Sequence, residues 1–462
     1  MRKLFICVLL LAMSVPAAAA PAGDKGLFDK QVLHDRVLLL REHSPMENNI
    51  VAITSADGLI VIDTTGSPVT AQALRREIAD HFKRKDFRYV INSHHHWDHS
   101  WGNQAFSDTT IIGHESCAGY MAAASRNMEQ RMAMVQQRIA LQQKRLKELP
   151  AGSNDPDLEK TIAFNQRNLA GWRTLELTPP DITFSERMCL RLSDLTIEMV
   201  YFGPAHSGSD ILIYVPELEL LVTGDLFIDR DYLPLFCGMD QVDVECWLTV
   251  LNAALSQKKA ISHVVTGHKD LWTREKLSLW RDYIKDTWRQ VRQAVTDGWT
   301  LQQAQERILL PDACAYLNQR GFSANRLARF QRDNILCFWR QLKPSAAKEL
   351  GRCISSDGPE AAVAWFRELG GQQSRSHYIA EAELNQLGYA LLGQSKHQAA
   401  IAVFTAAVAF FPQAWNLYDS LGEAYMRAGK REAAIRNYRK SLELNPDNIN
   451  GRRMLEQLRQ GS

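Results

Sequence analysis

Apolar and polar positions alternate in two different rhythms along this chain, and the switches between them divide it. From Val32 to Thr64, apolar runs are separated by turn residues at Ser44-Pro45 and Ala56-Asp57-Gly58. That pattern predicts hairpins of an antiparallel sheet. Ala71 to Phe82 carries helical spacing, and Arg88 to Asn92 reads as a short buried strand that runs into a loop. Thr109 to Gly113 is another short strand, and strands return from Ile182 to Val222. Between them the rhythm changes. Met121, Met128, Met132, Met134, Ile139, Leu141 and Leu146 recur near helical spacing among Gln, Arg and Lys. Pro150 to Asn154 interrupts this pattern, and Leu158 to Trp172 resumes it. The segment 117–178 is therefore expected to be a helical insertion, either a packing unit or a lid. Trp247 to Ala254 and Lys276 to Val295 are also helical in pattern, and an α-rich stretch continues to about Lys343.

The C-terminal part repeats at a spacing of 34 positions. Leu387-Gly388 returns as Leu421-Gly422, Ala400 as Ala434, Phe404 as Tyr438, Ala407 as Ser441 and Pro412 as Pro446. Each unit is two amphipathic helices with small residues where they cross. On these residues, with Trp415, Tyr418 and Tyr425, the segment resembles the tetratricopeptide repeat. Glu360 to Leu369 reads as a degenerate earlier half-repeat. Two clear copies fall short of the three usually needed for independent stability. The module is thus expected to lean on the rest of the chain or on another subunit. Its concave surface suits a protein partner or self-association, and a purely structural role is the alternative.

The densest chemistry lies in Ser93-His94-His95-His96-Trp97-Asp98-His99. His94, His96, Asp98 and His99 form the pattern H-x-H-x-D-H on one loop. Imidazole and carboxylate are ligands that zinc accepts well, and histidine suits iron too. Three further donors each follow an apolar strand: His206 after Ile197 to Phe202, Asp225 after Leu220 to Val222, and His268 after Val264-Val265. Strand ends on one side of a sheet sandwich are where such donors would converge.

On these motifs, residues 30–290 resemble the metallo-β-lactamase-fold hydrolase superfamily. The resemblance implies an α/β fold: an αββα sandwich with a helical insertion, followed here by an all-α tetratricopeptide-like domain. It implies that His94, His96 and His206 hold one metal, that Asp98, His99 and His268 hold a second, and that Asp225 bridges them. Asp98 would also orient the attacking hydroxide as the catalytic carboxylate. Asp63 matches an early strand-end aspartate that is structural in the family. Gly102-Asn103 matches a family turn, with Trp101 where glycine is common. His206-Ser207-Gly208-Ser209-Asp210 departs in detail from the usual loop. Two metals lower the pKa of bound water toward about 7, which supplies a nucleophile at neutral pH. The expectation is a dinuclear zinc hydrolase acting on an ester, lactone, thioester or amide, with a small-molecule substrate and with iron as the other metal. The bridging aspartate looks like that of glyoxalase-type and lactonase-type members rather than the cysteine or serine of zinc β-lactamases. A mononuclear iron sulfur dioxygenase, a β-lactamase and a binding or assembly protein acting through the repeats are the alternatives. The remaining candidates near the site are weaker. Trp97 and Trp101 either line the pocket or pack, Asp229, Arg230 and Tyr232 could meet substrate, and His95, His114 and His263 read as structural.

Composition changes the picture in three ways. The 462 residues allow two or three domains. The boundaries expected are a signal peptide at 1–22, a catalytic domain at 27–295, a helical extension at 296–345 and the repeat domain at 346–460. Met1-Arg2-Lys3, the apolar Leu4 to Ala12 and the small residues Ala17 to Ala20 make a secretory signal of bacterial style. A periplasmic or secreted protein is expected, with no membrane segment after cleavage. Removing Arg2 and Lys3 brings the formal charge of +2 to zero, so nothing in the charge favours nucleic acid or an anionic membrane. Of the 8 cysteines, Cys7 leaves with the signal, and the odd remainder leaves at least one thiol unpaired. A bridge among Cys314, Cys337 and Cys353 is one option.

Overall fold

The computed structural model describes residues 26–126, 128–150, 153–227, 243–256, 260–309, 324–371 and 376–460. The expected signal peptide, Asp229, Arg230, Tyr232 and Cys314 lie outside the described residues. Cys117, Cys189, Cys246 and Cys353 are free thiols.

Two sheets face each other. The first has seven strands in the order β1 (Phe28–His34), β2 (Val37–Glu42), β3 (Asn49–Ser55), β4 (Gly58–Ile62), β5 (Phe87–Ile91), β6 (Thr110–His114) and β7 (Ile182–Phe184). β1 to β4 form the antiparallel hairpins read from the sequence, and β4 to β7 are parallel. The second sheet runs β12-β11-β10-β9-β8, with β8 (Arg187–Arg191), β9 (Thr196–Tyr201), β10 (Ile211–Val215), β11 (Leu220–Gly224) and β12 (His263–Thr266).

The apolar runs are continuous because the central strands are covered on both faces. In β2, Val37 and Leu39 join Ile53, Ile62, Ile91, Ile197, Ile213 and Val222 between the sheets. Leu38 and Leu40 point the other way, onto Leu74 and Ile78 of helix α1 (Pro68–Phe82). The outer face of the second sheet, through Leu212, Tyr214, Leu221 and Val264, is covered by Trp247 and Leu251 and by Trp280 and Ile284. The helices carrying those pairs are Val244–Ser256 and Arg274–Thr296. The layers are helix, sheet, sheet, helix. Helix starts follow local chemistry: Ser67 caps α1 with Pro68 in its first turn, and Thr273 caps the long helix after β12.

A short helix α2 (Trp97–Ser100) lies within the histidine loop, and the insertion consists of α3 (Cys117–Ser125), α4 (Met128–Lys147) and α5 (Pro156–Trp172). Asp155 caps α5 through Leu158 N, with Pro156 at its start. Met121, Val135, Ile139, Ile162, Leu169 and Trp172 share a small core with Trp101. The insertion is docked on the sandwich at one edge. Trp172 Nε1 donates to Gly66 O at 2.8 Å, and Arg167 donates to His43 O at 3.2 Å and lies 4.0 Å from Glu42.

Beyond the sandwich, helix Ala324–Leu342 packs Ile335, Phe338 and Trp339 into the core of the second sheet's helical layer. Helix pairs follow at Ala346–Ser356 with Pro359–Gly371, Glu381–Gly393 with His397–Phe410, and Trp415–Arg427 with Arg431–Leu444. Helix Ile449–Gln460 closes the array. The half-repeat read at Glu360 to Leu369 is the second helix of the first pair. A Cβ on Gly388 would strike the ring of Phe404, so the helices cross closely there. The module is tied to the rest of the chain: Tyr378 N donates to Pro344 O at 3.0 Å, and Arg340 pairs with Glu383 at 2.6 Å. Tyr378 and Ala380 belong to the core shared with the second sheet's helices.

Candidate metal centre

The donors lie at one edge of the sandwich because the strands preceding them all end there. Asp63 follows β4, the histidine loop follows β5, His206 follows β9, Asp225 follows β11 and His268 follows β12. β9, β11 and β12 point the same way, since β10 is antiparallel to both β9 and β11 while β12 is parallel to β11. All seven residues singled out in the sequence come together. His94, His96, His206 and Asp225 form one group and Asp98, His99 and His268 another. Within each group the donor atoms lie within 4.8 Å of one another. The groups adjoin at Asp225. Its Oδ1 is 3.2 Å from His268 Nε2 and 3.3 Å from His99 Nε2, and its Oδ2 is 3.4 Å from His206 Nε2.

The surrounding hydrogen bonds aim these atoms. Ser93 N and Oγ donate to Asp63 at 2.8 and 2.7 Å. Having spent its proton there, Ser93 Oγ accepts from His94 Nδ1 at 3.1 Å, which leaves the lone pair of His94 Nε2 facing the cluster. His99 Nδ1 donates to Asp63 Oδ2 at 2.9 Å, and His268 Nδ1 donates to the Met46 carbonyl at 2.8 Å. Both rings therefore turn Nε2 inward. Asp63 holds its position at a φ of 65°, a left-handed conformation that aspartate tolerates at some cost. Gly267 is required for a different reason: a Cβ there would strike the Asp225 carboxylate.

Electrostatics match this geometry. Burial and the neighbouring imidazoles push His94 well below the ordinary imidazole range, so it is a neutral ligand. Burial opposes charge on His99, but Asp225, Asp98 and Asp63 overcome it and hold the ring well above that range. Burial likewise opposes charge on Asp225, and His268 with His99 keeps it well below the usual carboxylate range. A site that stabilises a proton so strongly among three carboxylates is one that a divalent cation would suit. The buried Nε2 of His94, which has no hydrogen-bond partner among the described residues, fits the same conclusion.

Other residues find their places. Asn48, which the sequence gave no reason to choose, donates through Nδ2 to the Asp98 carbonyl at 2.9 Å and to its Oδ2 at 3.2 Å. Asn103 accepts from Thr64 Oγ1 at 2.7 Å and so builds the turn with Gly102. The unusual loop after His206 closes on itself: Ser207 Oγ donates to Asp210 at 2.8 Å, and Ser209 Oγ meets His95 N and Nδ1. His95 stacks on Tyr120, away from the cluster. His114 is bonded to Ser116 and stacked on Tyr201. Trp101 is buried in the insertion core, whereas Trp97 lines an adjoining cavity.

Comparison with known proteins agrees with this fold. Residues 44–268 match the metallo-beta-lactamase superfamily and residues 415–448 the tetratricopeptide repeat. The 2,4-dinitroanisole O-demethylase subunit alpha of Nocardioides sp. (strain JS1661) is 24% identical over 177 residues, covering 38% of this chain and 40% of that protein. Among solved structures, the stereoselective inverting sec-alkylsulfatase Pisa1 from Pseudomonas sp. aligns with a TM-score of 0.51 at 17% identity. That alignment covers 90% of this chain and 65% of the sulfatase. A metallo-beta-lactamase from Pontibacter korlensis aligns with a TM-score of 0.41 at 14% identity, over 56% of this chain and 99% of its own. The chain thus spans less than two thirds of the length of both the demethylase and the sulfatase.

Proposed function

From the premise that residues 44–268 form a metallo-beta-lactamase superfamily domain, we propose that this chain is an exported hydrolase. It holds two zinc ions and cuts an ester, lactone, thioester or amide bond. The observation that carries the proposal is the position of Asp225, within 3.4 Å of ligand nitrogens from both donor groups. A carboxylate so placed suits a bridge between two ions, with His94, His96 and His206 on one side and Asp98, His99 and His268 on the other. The mixture of imidazole and carboxylate donors suits zinc. When bound, the ions supply an activated water at neutral pH and polarise the bond under attack.

The chain's own residues do the remaining work. The carboxylate of Asp98, steered by Asn48, would orient the attacking water and hold a proton as the bond breaks. Burial opposes its charge, but His99 and His268 hold Asp98 below the usual carboxylate range, so it is ionised at neutral pH. Asp63 and the Met46 carbonyl fix the tautomers of His99 and His268. Of the seven donors only His96 is half-exposed, so substrate would approach past it.

The test is a turnover screen with untagged protein against nitrophenyl esters, lactones, thioesters and amides, extended to sulfate esters because one structural neighbour is a sulfatase. Turnover of at least one class, lost in His96→Ala and after chelation, is the expected result. Full activity in His96→Ala would remove the proposal. Export rests on the N-terminal pattern, and N-terminal sequencing of protein released from the periplasm tests it. Partner binding by the repeat module is a further proposal, tested by co-purification with and without residues 381–460.

A further inference from the structure

Among the described residues, a cavity of about 670 Å³ lies between the insertion and the histidine loop. It adjoins the metal centre. Its wall includes Met46, whose carbonyl holds His268, and Trp97, which sits between His96 and Asp98. Trp97, Phe164 and Trp172 give it an apolar side, with the rings of Phe164 and Trp172 6.3 and 5.4 Å from that of Trp97. The opposite side is one face of α4, where Arg131, Met134, Val135, Arg138 and Gln142 recur at helical spacing. No carboxylate lines the cavity among the described residues.

Among the described residues, two cations on its wall, Arg131 and Arg138, have no carboxylate partner. Asn168, only 2% exposed, also lines the cavity. Arg131 is half-buried, and burial pulls its guanidinium below the ordinary arginine range. The ring of Trp101 lies 5.3 Å from it, and no described carboxylate pairs with it. Arg138, one helical repeat further on, is likewise unpaired among the described residues. Farther along, the same helix pairs its cations: Lys144 with Glu148 at 3.6 Å and Arg145 with Asp155 at 3.5 Å. Cations are thus left unpaired on the stretch of α4 that faces the cavity.

We infer that the substrate is an amphiphilic organic anion with its charged group remote from the scissile bond. Its apolar segment lies over Trp97, Phe164 and Trp172. Its anionic end is received by Arg131 and Arg138, with Asn168 donating. Guanidinium groups match planar oxyanions by paired hydrogen bonds. A neutral analogue would leave the half-buried Arg131 guanidinium unmatched, which is how a polar pocket rejects it. The placement of the scissile bond rests on the hydrolytic reading above, whereas the anion site does not.

The experiment has two arms. The first compares kcat/KM for the p-nitrophenyl monoester of suberic acid with that for p-nitrophenyl octanoate, in the wild type and in Arg131→Gln/Arg138→Gln. The second measures binding of octanoate, octyl sulfate and neutral octanamide by tryptophan fluorescence. The wild type should prefer the anionic ester and the anionic probes roughly tenfold, and the double variant should lose that preference. Arg138 is exposed, so Arg138→Gln alone should lower the same ratios in a folded protein, with metal content and circular dichroism as controls. If neither these esters nor any substrate of the turnover screen is cut but anion binding still falls in the variants, the hydrolytic reading fails and the anion site stands. If the esters are cut with the same ratio in every protein, and the anions bind alike in all, the hydrolytic reading stands and this inference falls.

Discussion

The metal centre and the cavity beside it are built by opposite rules. In the centre, several donors are held by a second layer: Asp63 grips Ser93 and His99, Asn48 grips Asp98, and Met46 grips His268. The donors are fixed before any ligand arrives. In the cavity, Arg131 is half-buried against Trp101 with no carboxylate partner among the described residues. On the proposals above, the difference would separate chemistry from selectivity: the sandwich would supply the first, and the insertion the second.

The largest expected effect comes from breaking the centre itself. Asp225→Ala should abolish turnover and metal retention together while the circular dichroism spectrum is kept, because the residue touches donors of both groups. Retained activity would detach Asp225 from the centre. Next comes the second layer. Asp63→Asn keeps the shape but weakens the hold on His99, and zinc affinity measured by chelator competition should fall roughly 10–100-fold. An unchanged affinity would mean that the donors are positioned by packing alone.

Two smaller effects probe the joint between the regions. Glu42 lies 4.0 Å from Arg167 of the insertion and is 2% exposed. Burial raises its carboxyl from 4.5 to about 7, against the opposing pull of Arg167. The folded state therefore holds the proton more tightly than the unfolded chain does. This contribution to stability is full below about 4.5 and is lost as pH rises through about 7. Relative to Glu42→Gln, the wild type should lose about 3 kcal/mol over that window, read from urea unfolding at a series of pH values. A constant difference between the two proteins would refute the assignment. The smallest effect is that of Trp172→Phe, which removes the bond to the Gly66 carbonyl. It should cost about 1 kcal/mol and raise KM more than it lowers kcat, since it loosens a cavity wall and no ligand. An equal fall in kcat would place the insertion in the chemistry itself.

The same contrast explains what could be read from the chain. Four donors were legible because they are neighbours on one loop. His206, Asp225 and His268 were legible because each follows a strand whose apolar run marks its own end. The repeat was legible because Gly388 and Gly422 recur with their bulky partners at a constant spacing. The insertion could be seen as helices, but not as a lid or a packing unit. That question turned on which face of α4 meets α5, and the methionine spacing does not choose a face. Met134 and Leu141 are exposed while Val135 and Ile139 are buried. Asn48, Met46 and Asn168 could not be read at all. Each acts across a distance in sequence that only the folded sheet edge brings together, and an isolated asparagine carries no pattern.

The measurement that bears most directly on the account is the metal content of the mature, untagged wild type by elemental mass spectrometry, beside Asp225→Ala. Close to two zinc ions per wild-type chain, with loss in the variant, is the result expected. A single iron per chain, or two zinc ions retained without Asp225, would contradict the proposed bridged dinuclear zinc centre.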